Sequence, residues 1–512
     1  MSCNCPYYPT VIVPGIGHSR VNAVDDTGKI GKYVFPPDIS TKDIISSAAA
    51  PFVKLIATRN TEKYIPQIKD ALSQILAPLS VSKEGTPVFP QKVESYRYPF
   101  SEYSESVRRH IYACVPLQEL GEVIGEDHMF FFAFNSFGQP FEAAAQLNEY
   151  IQFVKRTTGH DKVNLVAISL GGCVSVAYLD AYGYKGDVHR LINFVPAING
   201  TSFVADIIDN RVKFDDPKEL FGLFMGGHDA EMITSYLKKI PAKIYDAFMQ
   251  AVVDVIREKI LINCPNIWGT VPKERYEYLR NRYLSDGSYN VLRAKTDRFH
   301  RAQMNYERNV EIAQKAGTQF FGVCGYDRQL IPVCMSNAVS SDGVIDTRYA
   351  SGFSKLAPLG SQFPESYTQL NTRCNIKGHN HISPDRTVDA SCALFPDTTW
   401  FFKNQFHDAI AYNDVALTVT KKILTDESFT DVFCDPAFPQ FNGTRNTRVL
   451  VRNLLPRCKN IDTSSLTFLQ RAELEAALSD AQKLLSQTIL TDGTDVEPVT
   501  QRLKEILEEI NA

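Results

Sequence analysis

The sequence contains no apolar run approaching the ~20 residues with which a helix spans a bilayer, so no transmembrane segment is expected. It has no excess of charge of one sign either. Lys and Arg number 54 against 58 Asp and Glu, for a formal net charge of −4, which gives no reason to expect a nucleic acid or other polyanion as partner. The densest basic stretch, RAKTDRFHRAQMNYER at 293–308, is broken by acids and aromatics and reads as a solvated helix face. The opening MSCNCPYYPT lacks the basic and apolar regions of a secretory leader. Taken as it stands, that places the chain in the cytoplasm; a chain already trimmed of its leader would read the same and be secreted. The 11 cysteines are scattered and odd in number, which argues against a disulfide scaffold. Cys3 and Cys5 have no partners near them in sequence for a zinc site. Cys374 and Cys392 bracket a loop and can pair in an oxidising compartment, and otherwise the thiols read as buried or free.

What is present is an ordinary globular balance, 44% hydrophobic and 22% charged, over 512 residues, enough for more than one folding unit. Six short apolar runs stand out: TVIV (10–13), MFFFAF (129–134), VNLVAI (163–168), LINFV (191–195), QFFGVC (319–324) and TTWFF (398–402). Each is continuous rather than alternating, the pattern of parallel strands covered on both faces. Helical stretches separate them, among them 141–157, which ends at Gly159, and 171–182. The alternation predicts an α/β fold with a mostly parallel, doubly wound sheet. Residues 1–199 and 311–460 form the core in this reading. Residues 200–310 form a helical insertion, in which Ile244, Ala247, Phe248, Ala251, Val252, Val255 and Ile256 make an apolar stripe that faces either the core or a pocket beneath a cap. Residues 461–512 form a helical hairpin around a TDGTD turn. Leu474, Ala477, Leu478, Ala481, Leu484 and Leu485 line one helix, and Val499, Leu503, Ile506, Leu507 and Ile510 the other.

The feature richest in chemistry is VNLVAISLGG at 163–172. An apolar strand runs into a serine flanked by small residues, and a helix follows. A serine hydroxyl is a weak nucleophile that needs an adjacent base. A sharp strand-to-helix turn exposes it, and small residues at Ala167 and Gly171 let strand and helix approach closely. The usual G-x-S-x-G pattern has Ala167 at its first glycine. The turn opens a helix, so the backbone N–H of Leu170 can face a developing oxyanion. A second donor must come from another strand's end. In TVIVPGIGHSR (10–20), Ile16 is the first choice and Gly17 the alternative, while His18 reads as a local hydrogen-bonding residue.

His407, in the loop after the 398–402 run, is the one of ten histidines placed as a base in this chain order. The acid is open among three. Asp385 lies closest to His407 in sequence, Asp342 sits in a D-G-V turn, and Asp327 directly follows the 319–324 run. GHNHIS, with His379 and His381, reads as a polar loop rather than a metal site, because no further ligands lie at suitable spacing.

Taken together, these segments resemble the lipase branch of the α/β-hydrolases, especially the lecithin:cholesterol acyltransferase-like group. FFFAFNSFGQPFEAAAQLNEYIQFVKRTTGHDKVNLVAISLGG is similar to that family's run into the nucleophile turn, and NFVPAINGTSFVAD to the loop leading into its cap. The resemblance covers about residues 10–420 and departs at Ala167, in the long stretch between Asp342 and His407, and in the C-terminal hairpin. It implies Ser169 as nucleophile, His407 as base, and Ile16 and Leu170 as oxyanion donors. The acid-to-histidine spacing of bacterial lipases favours Asp385, with Asp342 the alternative. It implies ester hydrolysis, or acyl transfer, on a small-molecule or lipid ester through an acyl-enzyme. No cofactor or metal is expected, and transient contact with a lipid interface would run through the cap. A non-catalytic binding protein of the same fold is the competing reading, which the intact Ser169–His407 pair disfavours.

Overall fold

A computed structural model describes residues 5–25, 27–35, 41–215, 235, 240–443, 454–485 and 497–511. Its centre is a seven-stranded sheet. In chain order its strands are β1 (Thr10–Val13), β2 (Met129–Phe131), β3 (Val163–Ile168), β4 (Val188–Phe194), β5 (Gln319–Tyr326), β6 (Thr399–Lys403) and β7 (Phe441–Asn442). All six apolar runs are therefore strands of one sheet. The seventh strand is only two residues long and carries no periodic signal.

The spatial order is β7-β6-β5-β4-β3-β1-β2, and every neighbour pairing is parallel. Successive residues on a strand point to opposite faces, and both faces are covered. Val11 and Val13 enter one core with Leu165, while Ile12 enters a second with Val166 and Ile168. Two-sided burial is why the strands read as unbroken apolar strings.

On the first face lie α1 (Pro140–Thr158) and α2 (Gly171–Tyr182). The first begins with proline at its first turn, where no N–H is missed, and ends at Gly159 in the left-handed conformation with φ 76°. The opposite face is covered by Glu105–Cys114, Gln118–Ile124 and Asp414–Thr425.

Between β4 and β5 the chain is helical, as expected, with residues 216–234 and 236–239 of this stretch outside the described ones. The Ala242–Lys259 helix buries more than one stripe. Ile244 and Val255 pack with Leu55, Tyr64 and Ile68, whereas Tyr245, Met249 and Val253 pack with Ile207 and Phe214. The helix therefore lies between two partners, one of which comes from residues 41–75, a segment the sequence pattern left unplaced. The insertion also ends earlier than expected. Phe299, Ala302, Tyr306, Val310 and Ala313 belong to the sheet's own core, so the helices from Asn290 onward are part of the sheet layer. The 293–308 segment is correspondingly more than a solvated face: Phe299 is buried, and the Arg298 guanidinium stacks 3.7 Å from the centre of the Phe141 ring.

The C-terminal helices Phe468–Leu485 and Glu497–Asn511 make a small core of their own from Leu474, Ala477, Ala481, Leu484, Leu503, Ile506 and Leu507, closed by Leu454, Leu455 and Cys458. The TDGTD turn lies outside the described residues. No helix among the described residues is long and apolar enough to cross a membrane.

Candidate active site

In an open parallel sheet, side chains converge at the carboxyl ends of the strands where the strand order reverses. Here that point lies between β1 and β3, because the chain leaves β1 toward β2 on one side and continues from β3 on the other. Ser169 follows β3 directly and the Pro14–His18 loop follows β1, so the reversal brings them together. A Cβ added to Gly15 would lie 3.1 Å from Ser169 Cβ. Asp342 lies against Gly325 near the end of β5, and His407 follows β6.

The turn at Ser169 is strained. Its φ is 52°, a left-handed conformation that non-glycine residues rarely adopt. Bonds on both sides hold it: Ser169 N–H donates to the Phe194 carbonyl at 3.0 Å, and the Ser169 carbonyl accepts from Gly172 N–H at 2.9 Å and Ala197 N–H at 3.0 Å. Gly171 is required sterically, since a Cβ there would sit 2.3 Å from the Val13 carbonyl oxygen. Gly171→Ala must therefore push backbone off β1, at a cost of about 1–3 kcal/mol or more. The expected result is a lowered thermal midpoint together with lost activity. Ala167, by contrast, is fully buried within β3, so its methyl is accommodated where the usual pattern has glycine.

His407 opens the short helix His407–Ile410 after β6. Its Nε2 lies 2.9 Å from Ser169 Oγ and its Nδ1 2.7 Å from Asp342 Oδ2. Asp342 is buried and immobilised: its Oδ1 accepts from Val344 N–H at 2.9 Å and Ile345 N–H at 2.7 Å. It also presses on β5, where a Cβ at Gly325 would meet Asp342 Cβ at 2.5 Å. Gly325 and these two amides are parts of the site that sequence reasoning did not find. The D-G-V turn was their visible signal.

Asp385, the first choice for the acid, is not on the histidine. Its Oδ1 accepts from Ser383 Oγ at 2.5 Å and Thr387 Oγ1 at 2.9 Å, and its Oδ2 lies 3.0 Å from Lys403 Nζ. Burial alone would raise its pKa, but these partners hold it below the ordinary carboxylate value. Nearness in sequence misled because β6 carries the chain along the sheet between Asp385 and His407. Asp327, the third candidate, also faces Lys403, at 3.9 Å.

No family model matches the sequence, and no curated protein matches it.

Ser169 is only partly buried, whereas Ile168 and Leu170 beside it are buried, so the hydroxyl is the group this turn offers to a ligand. Leu170 caps the N-terminus of α2, where backbone N–H groups and the helix dipole favour negative charge. Ile16 is 45% exposed, a large apolar side chain left in solvent next to Gly15, which packs against Ser169. Gly17 has a φ of 88°, which lets the loop turn there. His18, read as a local hydrogen-bonding residue, buries its Nδ1 without a hydrogen-bond partner among the described residues. Burial lowers its pKa against the pull of Asp408, and His407 and His110 lower it further.

For His407, burial works against the charged imidazolium, but the charge of Asp342 and its hydrogen bond outweigh this and raise the pKa above its ordinary value, roughly 6.5. A base acts when neutral. Turnover that depends on His407 is therefore expected to fall as pH drops through a pKa above the ordinary histidine value, read from the acid limb of kcat/KM against pH.

Proposed function

We propose that the chain is a serine hydrolase of the α/β-hydrolase fold that cleaves carboxylic esters through an acyl-enzyme on Ser169. The carrying observation is the continuous relay from Ser169 Oγ through His407 to Asp342, with contacts of 2.9 and 2.7 Å, at the strand-order reversal of a parallel sheet. Nucleophile, base and orienting acid occur in the chain order Ser–Asp–His, each at the carboxyl end of a different strand.

In this reading Ser169 attacks the ester carbonyl as His407 Nε2 takes its proton. Asp342 holds the tautomer with Nδ1 protonated and stabilises the imidazolium that forms. The N–H groups of Leu170 and Ile16 face the oxyanion. The tetrahedral intermediate then expels the alcohol, which receives the proton from His407. Water attacks the acyl-enzyme with His407 again as base, releasing the acid and restoring the serine.

The partly exposed Ser169 and the exposed Ile16 next to Gly15 support an ester with an apolar acyl part. The test is reaction with an alkyl fluorophosphonate, followed by mass mapping, beside a p-nitrophenyl ester series of rising acyl length. The expected result is one phosphonyl adduct on the peptide containing Ser169 and ester turnover that the adduct abolishes. A folded chain that neither labels at Ser169 nor turns over any ester would overturn the reading in favour of a binding protein.

A further inference from the structure

We propose that the chain holds a structural zinc ion between Cys374, His379, His381 and Asp397. Residues 357–387 form a long excursion without a regular helix or strand between the short Lys355–Leu356 and Val388–Asp389 strands. Stretches of this length inside a folded unit need something to fix them. At its centre four donor atoms meet, all within 4.8 Å of one another. Cys374 Sγ lies 3.6 Å from His379 Nδ1 and 3.4 Å from Asp397 Oδ1, and His381 Nε2 lies 3.3 Å from Asp397 Oδ1. Tetrahedral zinc, with bonds of about 2.0–2.3 Å to nitrogen, oxygen and sulfur, sets its ligand atoms about 3.3–3.6 Å apart. The closest pair, His379 Nδ1 and Asp397 Oδ1 at 2.7 Å, is the one that closes up to hydrogen-bond length.

The decisive atom is His381 Nε2. The Gln440 amide donates its NH2 to the carbonyls of Pro396 and Thr399, at 2.7 and 3.0 Å, which turns its oxygen toward His381 Nδ1 at 2.9 Å. Gln440 Oε1 therefore accepts a hydrogen bond from Nδ1–H, and Nε2 carries a lone pair. That lone pair is fully buried, has no hydrogen-bond partner among the described residues, and points at a carboxylate oxygen. Two acceptors facing each other in the interior are costly; a cation between them removes the conflict. The orienting bond on the far nitrogen is the usual companion of a metal-bound histidine. Thiolate, two imidazoles and a carboxylate suit zinc, and four protein donors make a closed, structural centre rather than a catalytic one. Asp397 sits in the turn Pro396–Thr398 that leads straight into β6, so the ion would fasten the excursion to the foot of that strand.

A second cluster, of three donors, independently offers a site for a zinc ion whose fourth position is left to a non-protein ligand. Cys5 Sγ lies 3.1 Å from His128 Nε2 and 3.2 Å from His160 Nε2, and the two histidine nitrogens are 3.2 Å apart. Asp127 faces His128 Nδ1 at 3.0 Å, the carboxylate–histidine arrangement that orients a ligand. We infer zinc here too, tying the segment before β1 to the start of β2 and to the turn after α1. Cys3, two positions before Cys5, lies outside the described residues.

The test is metal analysis of the purified full chain, with cobalt(II) replacing zinc in chain stripped by a chelator. The expected result is two zinc ions per chain. One should be lost in Cys374→Ser or His381→Ala and the other in Cys5→Ser or His160→Ala, and cobalt should give a thiolate charge-transfer band in the parent that weakens in each cysteine variant. Where a variant does not fold, the stripped parent serves instead: zinc should raise its thermal midpoint and rebind stoichiometrically. A folded parent that carries no zinc and takes up neither zinc nor cobalt overturns both sites. Full metal content in the variants of one cluster overturns that site alone.

Discussion

Ser169→Ala is expected to lower kcat for p-nitrophenyl esters to the level of the uncatalysed background, a loss on the order of a million-fold for a serine acting within a relay. The substitution deletes one oxygen. The bonds that shape the turn run through the backbone of Ser169, not its side chain, so the fold should persist. Alanine must still adopt a φ of 52°, which costs it no more than it costs serine. Circular dichroism and thermal midpoint should therefore match the parent while turnover and phosphonate labelling vanish together. Residual turnover near the parent's would place the chemistry on another residue.

Asp342→Asn is expected to cost about ten-thousand-fold in kcat, and Asp385→Asn no more than a few-fold. The asparagine amide can present its NH2 to His407 Nδ1 and so favours the tautomer that points a proton, not a lone pair, at Ser169. It also removes the Asp342 charge, which outweighs the effect of burial and raises the His407 pKa. The acid limb of whatever activity remains should therefore move to lower pH. Asp385 faces Lys403, Ser383 and Thr387 instead, so losing its charge loosens that loop without reaching the base. Equal losses from both substitutions would contradict the assignment of the acid.

The sequence by itself determined the sheet, the tight turn at Ser169 and the placement of His407 beyond the last long strand, and for a local reason in each case. A strand buried on both faces must be continuously apolar, which exposed six of the seven strands. A serine turn tight enough to require Gly171 against the Val13 carbonyl writes its small residues into consecutive positions. His407 follows the last long strand, and chain order marks it. The C-terminal hairpin was equally visible, since Leu474, Ala477, Ala481 and Leu484 repeat at helical spacing and do form one face.

Only the tertiary structure decided which groups meet across the chain. Asp342 reaches His407 from 65 positions away because β5 and β6 are hydrogen-bonded neighbours in the sheet, whereas Asp385, nearer in sequence, is turned to Lys403. The second apolar stripe of the Ala242–Lys259 helix made sense only once residues 41–75 were found packed against it. The histidines of GHNHIS have no ligand spacing in sequence, because Asp397 joins them from the foot of a strand. Cys5 likewise has no partner until folding brings His128 and His160 to it, at separations of 123 and 155 residues. Periodicity and steric limits act between near neighbours and leave a trace in the sequence; electrostatic and ligand contacts act through space and leave none until the sheet sets its strand order.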